Sequence, residues 1–556
     1  MTSNAAQPFP TDDPSRPEDP SHRLALAHLQ VAIVAFGLGA FMAVMQALSR
    51  ADLPVIFRSP KVYYLSVTAH GVLMALVFTT FFIMGLGTFL ARRALGPPAS
   101  VRLGWASFVT ALLGTVLTTL AILSGTSTVL YTFYPPMQAH PAFYIGATLL
   151  IVGSWLWCVD LLWHVRHWRR TAGSHPLPLA IHGMVATVVI WLLATAGLAA
   201  EVLGMLIPWS LGLVRTIDPV LARTYFWWFG HPLTYFWLLP AYVVWYTILP
   251  KIAGGRLFSD PLARMVFAIF ILFSTPVGLH HQFTDPGISS TFKMAHTVST
   301  YVILFPSLVT AFTVIASLEV AGRLQGGRGL FGWIPRLPWR DPLFSSIALA
   351  MLTFALGGFG GAINAAYAMN AMVHNTTWVM GHFHLTVGTA VTLTFLGVTY
   401  HLLPHLTGRR LAAEPLARIQ PYLWFVGMLL FGVVNHITGL QGMPRRVYSA
   451  TYLGDAAAAP WHGLTLLTAI GGAILFLSSL LYLAVVVATL LGGRKATPPP
   501  FEFAQPLQPV APEPTFWDRI PLFTVVAILL IAIAYGPPIA HLLQLERFGS
   551  LPFKPF

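Results

Sequence analysis

Residues 381 to 385 read Gly-His-Phe-His-Leu, inside an apolar run from Trp378 to Leu403. On an α-helix, positions i and i+2 lie about 200° apart around the axis. His382 and His384 therefore point to nearly opposite sides, and one metal ion cannot take both. If the pair is functional, its helix stands between two different partners. Four further histidines, His70, His231 and the adjacent His280 and His281, also fall within apolar runs. An ionisable side chain at membrane depth is costly and marks a functional site by default. Neutral imidazole suits copper, iron or zinc, and haem iron takes an axial histidine. Asp and Glu are nearly absent from these runs, which argues against a carboxylate-bridged di-iron site. The only cysteine, Cys158, sits within an apolar run, so the chain has no internal disulfide and no thiolate metal site.

The elements that must position these groups are transmembrane helices. The 556 residues are 56% hydrophobic and 9% charged, with a mean hydropathy of +0.71, where soluble domains carry about 25% charged residues. Runs that reach the roughly 20 residues needed to cross the hydrocarbon lie near 24–48, 62–91, 103–124, 142–164, 179–205, 222–249, 262–282, 291–320, 342–368, 374–404, 417–440, 461–491 and 517–545. The expected fold is an all-α polytopic membrane protein of about thirteen spans. The net charge of +13 does not indicate nucleic acid, because the basic residues are scattered over loops and not clustered on one face. Of the 31 Lys and Arg, 19 fall in or beside the even-numbered loops. The positive-inside rule then makes those loops and the N-terminus cytoplasmic and puts the C-terminus outside. Residues 1–20, acidic and proline-rich, read as a disordered cytoplasmic leader, and the Pro-rich stretch at 497–515 reads as a cytoplasmic linker.

This orientation sorts the histidines by depth. The second, sixth and tenth spans start from the outside, which puts His70, His231, His382 and His384 about 8 to 11 residues below the outer surface, or about 12 to 16 Å at 1.5 Å per residue. The seventh span rises from the cytoplasm and carries His280 and His281 at its outer end. All six converge on one layer. Eleven other histidines, such as His140 and His541, fall near span ends or loops and read as interfacial. A six-coordinate haem takes two axial histidines from opposite sides, and a five-coordinate haem takes one and keeps an open face. His70 with one member of the 382/384 pair can supply the first, and the other member a second haem. His231, His280 and His281 then suit a copper ion facing the open side of that second haem.

The stretches WWFGHPLTYFW (227–237), STPVGLHHQFTDPG (274–287), HNTTWVMGHFH (374–384) and MPRRVY (443–448) together resemble subunit I of the haem-copper oxidases, in particular the B-type, ba3-like branch of prokaryotes. The resemblance covers about residues 20–545. It implies a twelve-helix catalytic core at 21–491, a linker at 492–515 and an additional C-terminal transmembrane helix and tail at 516–556. It further implies His70 and His384 as axial ligands of a low-spin, b-type haem, His382 as the proximal ligand of a high-spin, a-type haem, and His231, His280 and His281 as CuB ligands. Tyr235, one helical turn after His231, matches the tyrosine that the family cross-links to this histidine and uses as a donor when the O–O bond breaks. Arg445 and Arg446 match arginines that pair with haem propionates, and His374 and Asp285 match residues near the high-spin haem propionates. Asn370 stands where relatives carry an acid, so the usual proton-release arrangement there is not expected.

The activity implied is four-electron reduction of O2 to water at the high-spin haem and CuB, coupled to proton uptake and pumping. Tyr235, Tyr242 and Tyr246, at spacings of seven and four, run down one helical face. Ser307, Thr310 and Thr313 descend the eighth span at spacings of three, and Ser259 lies in the loop between the sixth and seventh spans. These match the single, K-type proton pathway of the B-type branch. Leu233 occupies the position of the glutamate that ends a second channel in A-type oxidases. A CuA centre needs two thiolates, so the resemblance assigns it to a subunit II that is reduced by cytochrome c. A small single-helix subunit, surrounding lipid and a prokaryotic inner-membrane location complete the implied setting. A quinol oxidase and a nitric oxide reductase are the rival readings within the superfamily. A proton-coupled transporter is the rival from another class, disfavoured by the opposed His382/His384 pair and by His280-His281.

Overall fold

The computed structural model describes residues 19–53, 59–449, 451–545 and 549–555. Of the expected leader, all but Asp19 and Pro20 lies outside the described residues. Among the described residues, twelve helices are long and apolar enough to cross a membrane. In chain order, with one shorter helix that takes its place as α7, they are α1 Pro20–Arg50, α2 Pro60–Leu95, α3 Arg102–Leu123, α4 Pro141–Ala172, α5 Leu179–Ser210, α6 Pro219–Ile252, α7 Asp260–Phe273, α8 Ser290–Leu324, α9 Pro342–Ala365, α10 Thr377–Thr407, α11 Glu414–Leu440, α12 His462–Gly492 and α13 Ile520–Gln544. Among the described residues, β-structure is confined to isolated bridges.

The helix starts are written into the sequence. Asp19, Ser59, His140, Asp218, Ser259 and Asp341 each accept a backbone N–H of the turn that follows, and each is followed by proline within two residues. The side chain satisfies one orphan donor, and the proline removes another while fixing a helical φ.

The seventh expected span departs from a continuous helix. α7 ends at Phe273, and residues 274–278 lead into a 3-10 turn, Leu279–Gln282. Pro276 explains the break, because it lacks an N–H and disfavours helical geometry at the residue before it. His280 and His281 therefore sit on a turn and not on a helix. Two π-helical segments lie just beyond other candidate ligands: Val72–Phe78 follows His70 in α2, and Thr386–Val391 follows His384 in α10. Such wide turns re-aim the side chains beside them and recur at functional sites.

Helices α2, α6 and α10 are almost wholly enclosed by the others, whereas α1, α8, α12 and α13 expose most of their apolar length. The enclosed helices carry His70, His231, His382 and His384. Where α3 meets α4, Gly114, Gly146 and Gly153 let the backbones touch, since a Cβ at any of them would strike the facing chain. Close approach through small residues is how helices associate in lipid, where burial of apolar surface gives no drive. The segment after α12 lies along the ends of α6 and α7: Ala504 N–H donates to Thr247 O at 2.7 Å, and Leu507 N–H to Leu257 O at 2.8 Å.

Candidate metal centre

A cavity of about 560 Å3 runs through the bundle, and His70, His231, His280, His281, His382 and His384 all line it. Helix α6 presents Arg223, Trp227, His231 and Tyr235 at successive spacings of four, so that they share one face, and all four line the cavity. The ligand atoms of His231, His280 and His281 lie within 4.8 Å of one another. His231 Nδ1 is 3.3 Å from His281 Nε2, and His231 Nε2 is 3.1 Å from the Tyr235 hydroxyl. The indole of Trp227 stacks on His281 at 3.8 Å and 8°, which fixes the plane of that ring. The Thr300 hydroxyl donates to His296 O at 2.6 Å and lies 3.0 Å from His280 Nδ1. Its oxygen accepts the His280 Nδ1 proton, and His280 Nε2 keeps its lone pair. Three neutral imidazoles with neither thiolate nor carboxylate fit a copper ion.

The other three histidines are held in the same way. Nδ1 of His70 lies 2.9 Å from Gly39 O, Nδ1 of His382 lies 2.7 Å from Gly357 O, and Nδ1 of His384 lies 2.8 Å from Met380 O. A carbonyl can only accept, so each Nδ1 carries the proton and each Nε2 presents a lone pair. That tautomer is the one an axial haem ligand requires. His382 and His384, two residues apart on α10, project from nearly opposite sides of that helix, and both line the cavity. The donor set fits two irons and a copper.

Three arginines and a histidine also line the cavity: Arg223 on α6, and Arg445, Arg446 and His374 outside the elements that carry the six imidazoles. Arg445 donates to the Asn375 side chain at 3.1 Å, and the Arg446 guanidinium lies 5.4 Å over the Tyr131 ring. Among the described residues, neither has a carboxylate partner. Burial, with the charge of Arg446, lowers the Arg445 pKa to about 10, which leaves it cationic at neutral pH. Burial, with Arg445 and Arg223, brings His374 down to about 4, so it stays neutral. Unpaired guanidinium forks suit carboxylates such as haem propionates. Asp285 departs from its expected place: it does not line the cavity but pairs with Arg223 at 2.8 Å, because an acid beside that cation is satisfied locally. Asn370 lines the cavity and donates to Asn364 O at 2.7 Å.

Below the cavity, hydroxyls pair between α6 and α8. Tyr242 donates to Ser307 at 3.2 Å and Tyr246 to Thr310 at 2.6 Å. Thr313 is buried, and its carbonyl accepts from Ser317 at 2.7 Å. The Ser317 oxygen in turn accepts the Phe258 N–H at 2.8 Å, beside Ser259, which caps α7 through Leu262 N–H at 3.3 Å. Tyr235 has no direct bond to Tyr242, and Phe270 packs against both rings, at 5.2 and 5.8 Å. Sequence reasoning missed Ser317, Arg223 and Thr300. The four-residue ladder ending at Tyr235 could have given Arg223, and continuation of the hydroxyl series could have given Ser317. Thr300 has no local signal, since its role depends on the turn at 279–282.

Residues 23–474 match the family model for cytochrome c and quinol oxidase polypeptide I. The chain is 43% identical over 551 residues to cytochrome c oxidase subunit 1 of Thermus thermophilus, covering 96% of each chain. It is 28% identical over 500 residues to the subunit 1 of a Synechocystis species, covering 86% of this chain and 85% of that one. A cryo-EM structure of a haem-copper terminal oxidase dimer superimposes with a TM-score of 0.92 at 36% identity, over 96% of this chain and 95% of that one. The chain belongs to the haem-copper oxidases, as their subunit I. It is the catalytic subunit of a terminal oxidase, an oxidoreductase whose family uses haems and CuB and works with a subunit II and cytochrome c.

Proposed function

We propose that this chain reduces O2 to water at a binuclear centre in which His382 holds a high-spin haem and His231, His280 and His281 hold CuB, while His70 and His384 hold a low-spin haem. The observation that carries this reading is that six imidazoles line one cavity, three of them with ligand atoms within 4.8 Å of each other. The low-spin haem is b-type and the high-spin haem a-type, as in the B-type branch. When bound, the haem iron and copper supply O2 binding and electron transfer.

The protein's own residues do the rest. Carbonyls of Gly39, Gly357 and Met380 orient three imidazoles through Nδ1, and Thr300 and Trp227 orient two more. The Tyr235 hydroxyl, 3.1 Å from His231 Nε2, gives a proton and an electron at the cavity. Ser259, Thr313, Thr310, Tyr246, Ser307 and Tyr242 pass protons inward from the cytoplasm, with Ser317 bridging the lower end. Protons need such polar groups to cross the low-dielectric layer. Arg445, Arg446 and Arg223, with His374 and with Asp285 acting through Arg223, hold the propionates. Electrons come from cytochrome c through CuA on subunit II, and a single-helix subunit and lipid complete the complex. The core at 21–491 and the added helix at 516–556 lie in a prokaryotic inner membrane, joined by the cytoplasmic linker at 492–515, with the N-terminus inside and the C-terminus outside.

The purified complex, supplied with reduced cytochrome c, should consume O2 with four electrons per molecule. Turnover with quinol alone would move the donor assignment, and nitric oxide reduction without O2 uptake would overturn the oxidase reading.

A further inference from the structure

Helix α13 reaches the copper-facing histidines from outside the cavity. The segment 274–282 is not an α-helix, so the N–H groups of Gly278 and Leu279 have no acceptor one turn back and must find one elsewhere. Both find His296, buried on α8: its Nδ1 accepts them at 3.1 and 3.2 Å. A backbone N–H can only donate, so Nδ1 is the unprotonated nitrogen. Nε2 therefore carries the proton, which it donates to Ala534 O on α13 at 3.2 Å.

The next residue on α13 holds the other arm of the triad. Tyr535 donates to Trp227 O at 3.4 Å, stacks on Trp228 at 5.3 Å and 16°, and meets His296 edge-on at 5.4 Å and 77°. Leu279, Ile288, Ile531 and Tyr535 form a small buried apolar cluster apart from the main core. Gly278 is required where these elements meet, because a Cβ there would strike the Tyr535 hydroxyl and the Trp227 carbonyl.

We infer that His296 and Tyr535 are positioning residues for the copper triad. The Trp227–His231 turn of α6 and the Gly278–His281 turn are both tied to the Ala534–Tyr535 turn of α13, which sets the separation of His231 from His280 and His281. The inference rests on the reading of those three histidines as copper ligands.

The test uses the complete purified complex and reads copper affinity by graded chelation, together with the infrared band of CO on the copper. His296→Leu should lower the apparent copper affinity about tenfold or more and shift or broaden the CO band, with the low-spin haem spectrum unchanged. His296→Asn, whose Oδ1 can accept near the place of Nδ1, should restore both. Unchanged copper affinity and an unchanged band in His296→Leu would overturn the inference. Should that variant fail to assemble, His296→Gln, which lacks an acceptor at that place, is compared with His296→Asn, and equal copper affinity in the two would overturn it. Absence of copper from the unsubstituted complex would instead overturn the ligand reading.

Discussion

His382 and His384, two residues apart on α10, are locked by different carbonyls: the first by Gly357 O of α9 at 2.7 Å, the second by Met380 O of its own helix at 2.8 Å. One ring is fixed by a neighbour and the other by its own preceding turn, so in both rings Nδ1 carries the proton and Nε2 keeps its lone pair. On the reading proposed above, the helix that carries them stands between two redox centres.

With His231 and His281 proposed as ligands of the copper alone, replacing either with Ala should abolish turnover and leave the low-spin haem difference spectrum intact. Oxygen uptake and reduced-minus-oxidised spectra of the same sample check this. Loss of the low-spin band as well would count against the ligand assignment.

Thr310 accepts the Tyr246 hydroxyl at 2.6 Å. Thr310→Val keeps the shape and removes that bond. The loss of about 1 kcal/mol from an ordered pathway corresponds to turnover slower by about fivefold, with haem and copper content unchanged. Wild-type turnover would remove Thr310 from the proton route.

Arg445 is a half-buried cation at the cavity with, among the described residues, no carboxylate in ion-pair distance. Arg445→Met takes positive charge away from where a haem gains an electron. Haem midpoint potentials should fall by on the order of tens of millivolts, as read by potentiometric titration. A rise, or no change, would contradict its place beside a propionate.

Asp518 fastens the start of α13 to the core: Arg264 donates to it at 2.6 Å, and the Thr515 N–H and hydroxyl at 2.8 and 2.9 Å. Burial alone would raise the Asp518 pKa, but Arg264 and the Thr515 bonds outweigh it and hold the pKa below the ordinary carboxylate value. A carboxylate depressed in this way contributes stability above its unfolded pKa of about 4. That contribution is lost as pH falls through the lower folded value. Asp518→Asn should reduce the thermal stability of the complex at pH 7 and flatten its decline below about pH 4, measured by thermal unfolding. Unchanged melting at both pH values would show that this contact does not hold α13.

The spans and the six cavity histidines were legible because the bilayer makes each polar residue at depth an exception to a strong rule. What escaped depends on tertiary placement. Pro276 hints at the break in the seventh span, but the turn that presents His280 and His281 follows from packing against α6 and α13. His296 looks like any histidine near a helix start, and its role exists only because that turn leaves two N–H groups without helical acceptors. Asp285 was placed near the propionates by resemblance alone; its ion pair with Arg223, which lines the cavity, depends on a tertiary contact that no local pattern announces.

The most direct test is metal and pyridine-haemochrome analysis of the purified complex. The structure predicts two haems and one copper on this chain, with any further copper following subunit II. Non-haem iron in place of that copper, or a fully loaded preparation with fewer than two haems, would contradict the assignment of the six imidazoles.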